Sequence, residues 1–192
     1  MLTQLKSATA GYHARVEAAM PSLGELATPA GYAAALRALH GFHAAWEPAI
    51  WRTPGMAELG MDGGRRKLPL LEADLHALGV RPCAPAAPPA RIAGTAEAVG
   101  ALYVLEGAAL GGRIIYRHAA GPLGVTPERG AAYYHGYGDA TGARWKAFGQ
   151  AVNRFAGGTP AAARVVAGAT ACFAALEAWL RVPGVLEGPV PA

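Results

Sequence analysis

Cysteine, serine and charge are all scarce in this 192-residue chain. The two cysteines, Cys83 and Cys172, lie far apart in different contexts, which excludes a disulfide framework and fits a reducing compartment. Ser7 and Ser22 are the only serines, no G-x-S-x-G elbow occurs, and Cys83 sits in a Pro/Ala-rich stretch with no adjacent histidine. Nucleophilic catalysis therefore has no support. H-E-x-x-H and paired C-x-x-C spacings are missing, as are the Glu-x-x-His pairs of a di-iron bundle. "EGAALGGR" lacks the G-K-[ST] ending and the preceding strand of a phosphate loop.

Apolar residues make up 53% of the chain against 16% charged, the composition of a compact globular domain. We expect one domain over residues 1–182 and a loose tail over 183–192. The net charge of +4 is scattered, with no Lys/Arg run, so nucleic-acid binding is not expected. "MLTQLKSATAGYHARVE" has no apolar core of signal-peptide length. Gly107 and Gly111 match the G-x-x-x-G packing pattern of membrane helices, but Glu97, Glu106 and Arg113 interrupt that stretch within one span length. A cytoplasmic protein outside the membrane is the expectation.

Apolar spacing favours helices almost everywhere, and no stretch alternates like a strand, so the fold class is all-α. Helices are expected from about Thr3 to Met20, stopped by Pro21, and from Pro29 to about Trp51, capped by Thr28 and kinked or ended by Pro48. "RKLPLLEADLHALG" predicts a third, ended by Gly79, and "VRPCAPAAPPARIAG" a surface crossing. Thr95 to about His118 predicts the most apolar helix. Thr126, Pro127 and Glu128 read as a helix start, and "GYGDATGARWKAFGQAVNRFAGG" and "TPAAARVVAGATACFAALEAWLRV" complete the set.

The pairs His13/Glu17, His43/Glu47 and Glu72/His76 have i,i+4 spacing and read as solvated neighbours; His40 and His43 read as structural. His13 is placed differently, on an amphipathic helix with Leu2, Leu5, Thr9, Tyr12 and Val16 in one stripe. It is either a satisfied core histidine or an axial ligand to a haem iron through Nε2. In "ALYVLEGAALGGRIIYRH", each glycine costs a helix roughly 0.5–1 kcal/mol relative to alanine. Gly107 and Gly111 share a face. They serve either close helix packing or the approach of backbone to a flat macrocycle and its diatomic ligand.

"LKSATAGYHARVE" and "LYVLEGAALGGRII" resemble the proximal and distal helices of haem oxygenases, particularly bacterial forms associated with bacteriophytochromes. "YAAALRALHGFHAAWEPAI", "RRKLPLLEADLHALG" and "GYGDATGARWKAFGQAVN" continue the resemblance in the family's order over most of the chain. It implies a helical bundle with a kinked distal helix, and haem b as both substrate and cofactor. The implied reaction opens haem to biliverdin, CO and ferrous iron, using O₂ and an external electron donor. His13 falls on the iron ligand, Gly107 and Gly111 on the distal glycines with a catalytic part, and Gly112 beside them is expected in the haem-binding set. Lys6 and Tyr103 fall near the propionates, where such a pair goes with attack at the α-meso carbon and the IXα isomer, and Lys146 falls near another propionate-binding position.

The implied partners are a ferredoxin or flavoprotein reductase and, as a recipient of biliverdin, a bacteriophytochrome. Positive charge around the haem edge would serve both the propionates and an acidic donor. One departure stands out: animal-type enzymes have an aspartate after the first distal glycine, and here that position is Ala108. A non-catalytic haem carrier or sensor is the alternative reading.

Overall fold

A computed structural model describes residues 1–87, 89 and 92–187. Eight α-helices follow one another among the described residues: α1 Leu2–Ala19, α2 Leu23–Leu26, α3 Pro29–Trp51, α4 Leu68–Ala77, α5 Thr95–Leu123, α6 Ala132–His135, α7 Thr141–Ala156 and α8 Ala161–Leu180. Two single 3-10 turns, Gly63–Arg65 and Gly138–Ala140, link them, and no strand forms among the described residues beyond isolated bridges at Thr126.

Local chemistry sets the boundaries. Met20, preceding Pro21, is extended and ends α1. Ser22 and Glu25 form a capping box that starts α2, a short turn that the apolar spacing does not predict. Thr28 Oγ1 accepts the Gly31 N–H at 3.2 Å ahead of Pro29 at the start of α3. Pro48 does not end α3: hydrogen bonding resumes directly after it, with the Arg52 N–H reaching the Pro48 carbonyl at 3.1 Å.

Helix α5 runs five residues beyond the expected His118, through Pro122, and stops at Gly124 in the left-handed region (φ 62). Thr126 does not start a helix. Its N–H and carbonyl pair with Arg129 to close a tight turn, Gly130 follows at φ 83, and α6 begins only at Ala132. The Asp74 carboxylate of α4 supplies the cap there, accepting the Ala132 and Tyr133 N–H groups at 2.7 and 2.8 Å.

Helix α8 packs along both α1 and α5, and α7 touches all three. The larger core lies between them, with Leu5, Leu102, Leu105, Phe148, Val152, Val165 and Leu176 buried. A second core joins the first half of α3 to α4 and α6 through Tyr32, Leu36, Leu71, Leu75, Tyr133 and Tyr134. Val185 is buried too, so the expected tail is tied to the core at that point. Residues 188–192 of the tail, and 88, 90 and 91 of the Pro/Ala crossing, lie outside the described residues.

Candidate functional site

The glycines of α5 have three different surroundings. At Gly100 a Cβ would meet the Val165 carbonyl oxygen at 2.0 Å, and at Gly168 of α8 one would meet the Glu97 carbonyl oxygen at 2.3 Å. These two positions let the α5 and α8 backbones touch, which is the helix-packing use of glycine. Gly112 is also buried, and a Cβ there would come within 3.0 Å of the Tyr134 carbonyl oxygen at α6. Packing accounts for all three.

Gly107 and Gly111 have no such partner. Among the described residues, a Cβ on Gly107 would touch only the rim of Trp145, at 3.9 Å, and one on Gly111 would meet nothing within 4 Å. Leu110 and Ile114, 42% and 53% exposed, lie on the same side of the helix. Residues 107, 110, 111 and 114 thus form an apolar strip that faces outward in the middle of a core helix. Water is a poor environment for it, and an apolar ligand a good one. Tyr103, one turn earlier, packs its ring 5.7 Å from that of Trp145.

His13 is on α1, with its side chain 59% exposed and its Nδ1 3.3 Å from Glu17 Oε2. Its ring meets the edge of Phe173 of α8 at 5.9 Å. It is therefore not a satisfied core histidine. One nitrogen lies near a carboxylate, and Nε2 has no protein partner among the described residues, which leaves it open to a metal ion. No group of three or more His, Cys, Asp or Glu side chains converges on a metal-sized site among the described residues. Lys6 and Lys146 are exposed on α1 and α7. His13 and the apolar strip of α5 thus sit on two helices that share α8 and α7 as neighbours.

Beside Gly107 on α5, the structure places a charged cluster that spacing alone does not reveal. Glu106 is 2% exposed and accepts from Arg65 Nη1 at 2.6 Å, Lys67 Nζ at 2.9 Å and the Tyr137 hydroxyl at 2.6 Å. Lys67 Nζ also lies 4.0 Å from the centre of the Tyr137 ring, and Arg144 Cζ 4.5 Å from it. Burial pushes the Lys67 ammonium below its ordinary range, although Glu106 opposes the shift. Burial, then the bond to Glu106, pushes the Tyr137 hydroxyl up.

A second buried pair corrects a sequence expectation. His43 and Glu47 are not solvated neighbours: their side chains are 2% and 4% exposed, with Nδ1 2.7 Å from Oε1. His43 Nε2 reaches the Tyr133 hydroxyl at 3.3 Å, and Glu47 accepts the backbone N–H groups of Lys67 and Leu68 at 2.8 and 3.0 Å. Burial alone would raise the Glu47 carboxyl, but His43 and the two N–H donors outweigh it and hold the group below the ordinary range. The one sequence signal for these networks is a lone Glu106 in an apolar run.

The profile of the family described as "Heme oxygenase" matches residues 84–182. A curated protein of Xanthomonas campestris pv. campestris (strain 8004), named "Heme oxygenase", is 36% identical over 110 residues, which span 57% of this chain and 64% of that protein. The fold is similar to the crystal structure of the NO- and CO-bound haem oxygenase from Neisseria meningitidis, with a TM-score of 0.83 at 24% identity, covering 99% of this chain and 94% of that one. With half the chain matched by the family profile and the all-helical architecture shared from end to end, the protein belongs to the haem oxygenase family.

Proposed function

We propose that the chain is a haem oxygenase, opening haem to biliverdin, CO and ferrous iron with O₂ and an external electron donor. One observation carries the reading: Gly107 and Gly111 stand in an outward-facing apolar strip and pack against almost nothing, so their missing side chains are space kept for a ligand. The residues present fit haem. The exposed His13, with Nδ1 on Glu17, offers Nε2 to iron, and the strip on α5 offers a flat apolar face. Haem, when bound, supplies the iron that activates O₂ and is itself the ring that is opened.

The chain's own part is positioning. His13 would hold the iron, and Gly107 and Gly111, which keep a Cβ out of the space beside α5, would let backbone stand close to the bound group. Lys6, Tyr103 and Lys146 would anchor the propionates, the arrangement for which the IXα isomer is expected. Gly112 supports the same stretch of α5 from behind, through its contact with Tyr134. Electrons come from a ferredoxin or flavoprotein reductase, and a bacteriophytochrome is the expected recipient of biliverdin.

Incubation of the haem complex with O₂ and a reductant tests the reading. Biliverdin formation supports it, a persistent oxygenated complex assigns the protein to the carrier class, and failure to bind haem rejects both.

A further inference from the structure

Glu106 is a buried carboxylate on a helix otherwise buried through alanine, valine, leucine and glycine, and the roles given above to α5 do not use it. It joins two separate segments: the connection into α4, through Arg65 and Lys67, and the turn between α6 and α7, through Tyr137. Isolated ion pairs of this kind gain little stability over an apolar contact, because desolvation consumes most of the attraction. Here Arg65 and Lys67 share the Glu106 carboxylate, Glu47 also acts on Lys67, and Arg144 over the Tyr137 ring leaves the set with a positive charge in excess.

The cluster's place in the chain gives it a target. Glu106 and Gly107 are consecutive, so the carboxylate lies within about 9 Å of the Gly107 backbone. Among the described residues, the charged or titratable groups facing the cluster are Arg65, Lys67, Tyr137, Arg144 and, through the Lys67 backbone, Glu47 with His43. The residue after Gly107 is Ala108, which contributes no charge of its own.

We propose that Glu106, acting with Arg65 and Lys67, is a positioning residue of the oxygen-binding face. The cluster pins the Gly107 segment in place and imposes a positive field on whatever is bound against it. The proposal rests on the haem reading given above. Unit charges on the order of 10 Å apart in a protein of effective dielectric constant about 20 shift a titration by on the order of one pH unit.

The test is the pH midpoint at which the ferric haem complex changes from its acid to its alkaline absorption spectrum, a readout that involves no turnover. Lys67→Met removes one buried cation and raises the midpoint by on the order of one unit. Glu106→Gln lowers it, by less, because a buried Lys67 without its carboxylate sheds part of its charge. Tyr137→Phe changes no charge and leaves the midpoint within a few tenths of a unit. Opposite shifts in the first two variants support the proposal, since a merely structural defect would move both in the same direction. Unmoved midpoints, or shifts of one sign, overturn it while leaving the haem reading intact. A wild-type protein that forms no haem complex overturns both.

Discussion

Gly100 and Gly111 sit three turns apart on the same helix and have opposite surroundings. The first is pressed against the Val165 carbonyl of α8, while the second faces open space. Both carry the same local cost in helix propensity. At Gly100 that cost is offset where the molecule itself makes contact, in the backbone approach of α5 to α8. At Gly111 no contact among the described residues offsets it. A helix that accepts an uncompensated penalty there, beside exposed Leu110 and Ile114, is shaped for something outside the chain.

One substitution made at both positions separates the two surroundings most sharply. Gly100→Ala forces a Cβ against two backbone segments of α8 and costs ~3 kcal/mol or more, read as a loss of the cooperative thermal transition or a fall in its midpoint of several degrees. Gly111→Ala meets nothing and gains about 0.5–1 kcal/mol from helix propensity, raising the apo-protein's midpoint by a few degrees. Equal effects at the two sites would erase the contrast.

The same contrast holds between two of the histidine–glutamate pairs. The buried pair, His43–Glu47, supports the fold. Glu47 has its pKa lowered in the folded state, so its stabilisation is fully present above the ordinary carboxylate range and is lost as pH falls through the folded value. Glu47→Gln should destabilise by ~2–3 kcal/mol at neutral pH and by less in acid, checked by denaturant unfolding at several pH values. The exposed pair, His13–Glu17, contributes little to the fold. His13→Ala should leave apo stability within about 0.5 kcal/mol while weakening or changing the Soret band of added hemin. The smallest effect on the fold is expected at Lys6, where Lys6→Asn should leave stability unchanged and alter only the ratio of biliverdin isomers, checked by chromatography of the products.

Much of this could be read from the sequence because long amphipathic helices announce themselves by period, and α1, α3, α5 and α8 start and stop within a few residues of expectation. Thr126 misled for a local reason: Thr-Pro-Glu can open a helix, but the Thr126–Arg129 turn and the Gly130 backbone closed the chain first. Glycines were the harder case. Gly107, Gly111 and Gly112 read alike in sequence, and only the partner helices divide the one that packs from the two that do not. The buried networks were least legible, since i,i+4 spacing fits His43–Glu47 in the core and His13–Glu17 in solvent equally well. Whether such a pair is buried depends on which helices close over it.

Hemin titration of Gly111→Leu beside the wild type, followed at the Soret band, with the thermal midpoint of each apo-protein measured in parallel, tests most directly the idea that the open face of α5 is reserved for haem. The expected result is an apo-protein at least as stable as the wild type, with hemin affinity lowered tenfold or more. Unchanged affinity and an unchanged spectrum would contradict it.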